Sequence, residues 1–486
     1  MEAKRLKNLL EGVEVIELKG EEDVVVANIA IDSRLVQKGY AFGAFRGSVS
    51  DGHDFIDKAI GQGASVIICD VLPEEIMEGI TYVRTLDTRD AIGKIGAAYY
   101  DHPSKHITCV GITGTNGKTS IATLLYNLFK DLGYSVGLIS TIEILVNDKK
   151  WETQLTTPDV ITLHRVMASM VEAGCEYVFM EVSSHAADQN RIAGLNFKCG
   201  VFTNLTHDHL DYHGSFKAYI EAKQSFFSGL SQDAYAVINI DDKHGGVMVE
   251  KSKAQVRKYS SRQLTDYKVR LISDGKLGMM LEINGKSFMT RLSGSYNAMN
   301  LTAVYAVADI FLNIEEEHLA EKISALRGAI GRLELVWQHP RVIVDYAHTP
   351  DALANVLRTL KSSLDGGRLI TVVGCGGDRD KGKRPVMALE AYRQSDLVIL
   401  TSDNPRSEDP QTIIDDMKTG LAGKELRRVL DIADRRSAIK TALALSDESD
   451  TVLIAGKGHE EYQEVKGVRH FFSDQQIVKD ILSNDI

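Results

Sequence analysis

The segment Gly111-Ile112-Thr113-Gly114-Thr115-Asn116-Gly117-Lys118-Thr119 constrains the fold more than any other. It lies between an apolar run over 107–112 and a 3.6-period pattern with Ile121, Leu124, Leu125, Leu128 and Phe129 on one face. A strand that turns through glycines into a helix opens a βα unit, and such units pair their strands in parallel. Apolar runs, glycine-bearing turns and helical patterns alternate in this way along the whole chain, so the expected class is α/β with largely parallel sheets. Within the turn, glycines let successive N–H groups face phosphates and the helix N-terminus adds its dipole. Lys118 then reaches the β/γ-phosphates, and the Thr119 hydroxyl can ligate magnesium. ATP is the expected cofactor. The position five before Gly117 is Ile112, so this is a variant of the usual phosphate-loop spacing. A glycine-rich turn carrying an exposed lysine is the plainer alternative.

At 486 residues the chain is too long for one hydrophobic core. A polar break at Asp101-His102-Pro103-Ser104-Lys105 and another near Gly331-Arg332 divide it into units over 1–104, 105–331 and 332–486. A net charge of −11 argues against the broad basic face that nucleic acid requires. No stretch approaches the roughly 18 apolar residues of a membrane span, and the start has no leader-like apolar region, so a cytoplasmic protein is expected. Cys69, Cys109, Cys175, Cys199 and Cys375 are scattered through mostly apolar runs and read as reduced core thiols.

In the first unit strands are expected over 24–31 and 64–69, around the turn Asp32-Ser33-Arg34. In the second, an apolar run over 177–180 delivers Glu181 at its end, either as a magnesium ligand or as a strand-edge carboxylate. A further strand over 199–202 leads into a segment holding His207, His209, Asp211 and His213. Taken alone, that cluster could be a zinc site of a hydrolase that uses no nucleotide. In the third unit, strands over 342–344, 397–400 and 452–454 each end in a polar loop, where open parallel sheets bind ligands. A nicotinamide-binding turn at Gly374-Cys375-Gly376-Gly377 is disfavoured, because the third glycine of that fingerprint falls on Arg379.

These stretches together resemble the Mur ligases over essentially the whole chain. The matches are 114–120, 156–159, 180–185 with Gln189 and Arg191, 204–214, 294–300, 331–334, 345–353, 374–384, 403–406 and 456–462. The resemblance implies an N-terminal domain for a UDP-linked substrate, a central P-loop ATPase and a Rossmann-like C-terminal domain that carries an amino acid. It implies a monomeric enzyme that joins meso-diaminopimelate to UDP-N-acetylmuramoyl-dipeptide through an acyl phosphate, with ATP and Mg2+.

By this resemblance Gly114, Thr115, Asn116, Gly117, Lys118, Thr119, Ser120, Asn300, Arg332, Asp345 and His348 serve ATP. Ser33, Thr156, Thr157, Ser183, Gln189 and Arg191 serve the UDP-linked precursor. Thr119, Glu181, His209 and a carbamylated Lys223 hold metal, and Lys118, His209 and Lys223 are catalytic. Read from its own surroundings in the sequence, Lys223 is a solvated helix lysine, and only the resemblance makes it a carbamate.

Arg379, Asp403, Asn404, Pro405, Arg406, Gly456 and Glu460 match the pocket for the incoming amino acid. The Asp403-Asn404-Pro405-Arg406 run is of the diaminopimelate type. An arginine fork suits the distal carboxylate that L-lysine lacks, and Glu460 suits the distal ammonium. Addition of L-lysine and a folylpolyglutamate-synthetase-like activity are the neighbouring alternatives.

Overall fold

The computed structural model describes residues 2–47, 50–151, 158–275 and 278–484. Three main sheets follow one another along the chain. The first has five strands in the order Val15–Lys19, Thr81–Thr85, Val66–Cys69, Tyr40–Ala44 and Asn28–Ala30, parallel except for Val15–Lys19. The single strand expected over 24–31 is two short ones, Val25–Val26 and Asn28–Ala30, which pair with different partners.

The central sheet has eleven strands, and its parallel heart bears the functional loops. Strand Thr108–Thr113 lies between Tyr177–Glu181 and Cys199–Phe202, in parallel with both. Every residue of Cys199–Phe202 is buried, as expected where helices cover both faces. The chain lays strands on one side of Thr108–Thr113 and then crosses to the other at Cys199–Phe202, which opens a crevice beyond their carboxyl ends. The expectation of largely parallel pairing holds, with its exceptions at the sheet edges. Ile144–Val146 and Lys149–Trp151 add antiparallel strands at one edge, and Gly278–Ile283 and Lys286–Thr290 add them at the other. Short hairpin connections allow antiparallel pairing there without a crossover helix.

The third sheet runs Glu334–Trp337, Arg341–Asp345, Thr451–Ala455, Leu369–Cys375, Leu397–Ser402 and Val429–Asp431, parallel apart from its first strand. Helix Lys118–Asp131 buries Ile121, Leu124, Leu125, Leu128 and Phe129 in the central core, as its period predicts. All five cysteines are free thiols and buried. Among the described residues no helix is long and apolar enough to cross a membrane.

Candidate active site

A cavity of about 1240 Å³ lies between the carboxyl ends of the central and third sheets. The loop 114–117 forms its floor. Gly114 and Gly117 have φ of +148° and +90°, and a Cβ at Gly114 would meet Thr203 Oγ1 at 1.9 Å, so neither turn nor packing admits a side chain. The loop is fastened to the next strand's end: Thr115 N donates to Asn204 O (2.8 Å), Asn116 N to Asn204 Oδ1 (2.9 Å) and Thr203 Oγ1 to Asn116 O (2.6 Å). Gly117 caps helix Lys118–Asp131 without a side-chain bond, which leaves the first-turn N–H groups to a ligand.

Two lysines converge beneath this loop. Lys118 Nζ donates to Gly114 O (3.0 Å) and Thr115 O (2.7 Å), and Lys223 Nζ donates to the same Gly114 O (2.8 Å). Lys223 is 1% exposed, so the solvated lysine read from its own surroundings is overturned. Helix Phe216–Ser228 buries Tyr219, Ala222, Lys223, Phe226 and Phe227, a stripe at helical spacing with the lysine inside it. Burial, reinforced by the neighbouring Lys118, pushes the Lys223 ammonium well below its ordinary value. Burial likewise lowers Lys118, against the pull of Glu181 and Asp208.

Thr119 Oγ1 meets Thr141 Oγ1 at 3.0 Å, Thr141 N and Oγ1 donate to Glu181 Oε1 (2.7 and 2.9 Å), and Arg332 Nη2 donates to Thr119 Oγ1 (3.1 Å). Two hydroxyls and a carboxylate in a row are hard oxygen donors of the kind magnesium takes together with substrate phosphates, so these residues fit that ion. Among the described residues no three His, Cys, Asp or Glu side chains converge as a metal cage, so the zinc alternative for 207–213 lacks its geometry. Those side chains part instead. His207 reaches Asp380 of the third unit (3.2 Å), His213 meets Ser184 Oγ (3.0 Å), and His209 and Asp211 line the cavity. His209 has φ +54°, and burial lowers its imidazole to about 4.

The other residues expected to serve the nucleotide collect on the cavity wall. Asn300 Oδ1 would lie 2.7 Å from a Cβ at Gly117, and Ser120 lines the same wall. Asp345 ends its strand accepting from Leu333 N (2.6 Å) and Ala347 N (2.7 Å); burial holds its carboxyl above its ordinary value despite Arg332 nearby. His348 is lowered to about 4, first by burial and then by Lys383. The Arg332 guanidinium lies 4.3 Å from the Tyr346 ring centroid within the third unit, and its bond to Thr119 crosses to the central one.

On the far side, Arg379, Asp403, Asn404, Arg406, Gly456 and Glu460 line the cavity. Arg406, at φ +51°, donates from Nη1 to Gly377 O (2.7 Å), and its N–H donates to Glu464 O (3.0 Å). Pro405 is not part of the lining; its carbonyl packs on Gly377, where a Cβ would lie 1.9 Å away. Gly456 has φ +115°, and a Cβ there would meet Asp403 Oδ2 at 2.5 Å.

The precursor group is less gathered. Ser183 and Arg191 line the cavity, and Gln189 Oε1 accepts from Arg191 Nε (3.0 Å) and Nη2 (2.7 Å). Ser33 is buried in the first unit, starting the turn Ser33–Leu35, and does not line the cavity. Thr156 and Thr157 lie outside the described residues.

Sequence reasoning assigned no role to His185, Asp208, Lys383 or Lys457. The His185 ring centroid is 4.9 Å from that of His209. Burial alone would raise the Asp208 carboxyl, but His209, His348, Lys383 and Lys118 hold it below its ordinary value. Its position directly before His209 was the available signal.

Three family patterns match in series: "Mur ligase family, catalytic domain" over 25–100, "Mur ligase middle domain" over 112–308 and "Mur ligase, glutamate ligase domain" over 331–458. The chain belongs to the Mur ligase family. A relative from Phocaeicola vulgatus, named UDP-N-acetylmuramoyl-L-alanyl-D-glutamate--2,6-diaminopimelate ligase, is 48% identical over 99% of this chain and 100% of its own. A relative of the same name from Bacteroides fragilis is 47% identical over 99% of each chain. A solved structure bearing that ligase name superposes with a TM-score of 0.70 at 31% identity, over 99% of both chains. The cavity of this Mur ligase thus lies between the segments matched by the middle and glutamate ligase patterns.

Proposed function

We propose that this Mur ligase uses ATP to join meso-2,6-diaminopimelate to the D-glutamyl carboxylate of UDP-N-acetylmuramoyl-L-alanyl-D-glutamate, a step of peptidoglycan precursor synthesis. What carries this reading is a single cavity that collects the P-loop, the half-buried Lys118, the buried Lys223 and the Arg379, Asn404, Arg406 and Glu460 group. The units over 1–104, 105–331 and 332–486 hold the UDP-linked end, ATP and the amino acid in turn; the three successive sheets support that division.

In the first step an oxygen of the glutamyl carboxylate attacks the γ-phosphorus, and the bond to ADP breaks to give an acyl phosphate. Lys118 leaves its loop carbonyls to face the transferring group, where its charge is worth most because the site is desolvated. The neutral α-amine of diaminopimelate then attacks the acyl carbon, and the tetrahedral intermediate expels phosphate and loses a proton, leaving an amide. Ser33, Thr156, Thr157, Ser183, Gln189 and Arg191 hold the precursor, and Arg332, Asn300, Asp345 and His348 serve the nucleotide. The His207–Asp380 contact and the hydrogen bond from Asn116 Nδ2 to Asp351 Oδ2 (3.2 Å) tie the central and third units beside the cavity, in support of water exclusion.

Thr119, Glu181, His209 and carbamylated Lys223 would hold magnesium, which when bound supplies a hard cation that neutralises phosphate charge. The depressed ammonium of Lys223 supports the carbamate. Burial favours the neutral amine, whose lone pair bonds to the carbon of CO2 while one C=O pair moves to oxygen and the nitrogen sheds a proton. Labelling with 13C-bicarbonate should give a carbamate resonance that Lys223→Ala abolishes; an unchanged resonance rules the modification out.

Precursor labelled with 18O in the glutamyl carboxylate tests the chemistry. One label should appear in the released phosphate, because the oxygen that attacks phosphorus leaves with it. Phosphate free of label would exclude the acyl phosphate.

A further inference from the structure

Lys457 is 0% exposed and lies behind the amino-acid pocket, in the loop after strand Thr451–Ala455. Its Nζ donates to Asn404 Oδ1 (3.1 Å) and to Glu460 Oε2 (3.0 Å), and it sits 5.3 Å from the Tyr462 ring centroid. Asn404 closes the circuit by donating from Nδ2 to the same Glu460 Oε2 (2.8 Å). Asn404 Oδ1 also accepts from Glu464 N (3.0 Å).

Two donors on Oδ1 settle which way the Asn404 amide points: its oxygen faces the protein, and its NH2 faces Glu460 and the cavity. Both bonds to Glu460 fall on one oxygen, Oε2. A buried ammonium with no cavity contact of its own therefore sets the orientation of two side chains that line the cavity.

We propose that Lys457 is a positioning residue for the incoming diamino acid: it keeps Glu460 ionised with Oε1 directed at the distal ammonium, and keeps Asn404 turned as a donor to the distal carboxylate. The inference rests on the diaminopimelate reading above and adds a selectivity element behind the residues that touch the ligand.

The electrostatics of the pocket give Lys457 this task. Burial pushes the Glu460 carboxyl up, and Asp403 beside it pushes further in the same direction; Lys457 opposes both. The other titratable groups facing Glu460 are Tyr346, Tyr462 and Arg435. Arg435 is already gripped by Asp474, with Nε to Oδ1 at 2.9 Å and Nη2 to Oδ2 at 2.7 Å. Without Lys457, two neighbouring buried carboxylates would share the pocket, and Glu460 would take up a proton and lose its hold on an ammonium.

The test is a cycle of Lys457→Met and Glu460→Gln, assayed with diaminopimelate as the varied substrate. Lys457→Met should lower kcat/KM for diaminopimelate roughly thirtyfold or more at neutral pH through a raised KM, with KM for ATP and the UDP precursor within about twofold of wild type. Raising the pH should recover part of that loss, since deprotonation restores the Glu460 charge. In the Glu460→Gln background, which needs no cation, the same substitution should cost little more.

Additive losses, a pH-independent defect, or a double variant that fails to fold would each overturn the proposal and leave Lys457 a structural cation. Infrared titration of the Glu460 carboxylate in the ligand-free wild type and Lys457→Met proteins reads the charge coupling without any substrate. An upward shift with no wild-type turnover of diaminopimelate would therefore sink the substrate reading and spare the Lys457 circuit. No shift would sink the circuit.

Discussion

Arg435 and Lys223 are both lost to solvent, yet they are satisfied differently. Arg435 makes a two-point pair with Asp474 and further bonds to Ser402 O (3.4 Å) and Ala455 O (3.1 Å), with both partners of the pair fully buried. Arg384 repeats the pattern under the amino-acid loops, held by Glu408 and Asp416 at 2.7 and 2.8 Å. Lys223 and Lys118, by contrast, donate to carbonyls of the loop 114–117. A carboxylate cancels a cation's field and fixes its position, whereas carbonyls satisfy the donor and leave the Lys118 charge for an incoming anion and Lys223 open to the modification proposed above. Arg435 and Arg384 therefore belong to the frame, and the two lysines resting on carbonyls to the proposed chemistry.

The widest departure is expected at the frame. Arg435→Ala strips Asp474 of its partner and should destabilise the protein by about 3–5 kcal/mol in a denaturant titration, the usual cost of halving a buried pair. A loss below about 1 kcal/mol would break the distinction from that side. Lys118→Ala should do the reverse. Phosphate release should fall roughly 10²–10³-fold or more while the melting temperature stays near wild type, because no carboxylate is stranded. Near-normal turnover by a folded variant would remove Lys118 from the reaction.

Arg406 lies between the two kinds, bonded to Gly377 O at 2.7 Å and only 4.0 Å from Glu464. Arg406→Ala should cost roughly thirtyfold in kcat/KM with diaminopimelate and little further with L-lysine, measured side by side. Equal losses with both amino acids would make it part of the frame.

A last effect isolates burial without any ligand. His164 is fully buried, bonds Ala193 O at 3.0 Å, and is lowered to about 4, chiefly by burial. The unfolded chain takes up this proton first, so stability should fall as pH drops from about 6.5 towards 4, by at most about 1.4 kcal/mol per pH unit from this group. Guanidinium titrations of wild type and His164→Asn across that range should differ in slope; identical slopes would show that burial does not strip the charge.

The places where strands deliver side chains could be read from the amino acids, because an apolar run ending in a polar loop looks the same in sequence and in space. Glu181, Asp345, Asp403 and Gly456 are of this kind. Lys223 escaped that reading because charge outweighs position in a hydropathy pattern, although its spacing from Tyr219 and Phe227 already placed it on the buried stripe. Asp208 and Lys457 were hidden for another reason: part of each one's surroundings, His348, Lys383 and Lys118 for Asp208 and Asn404 for Lys457, is distant in sequence, and no local period records that. The antiparallel edges of the central sheet went unread because short hairpins imitate the breaks between βα units.

The claim that the two sides of the cavity serve one reaction is tested most directly by phosphate release from ATP in the four combinations of precursor and amino acid. Sustained release is expected only when UDP-N-acetylmuramoyl-L-alanyl-D-glutamate and meso-diaminopimelate are both present, with one phosphate formed for each amide. Equal release with either one omitted, or with L-lysine in place of diaminopimelate, would contradict it.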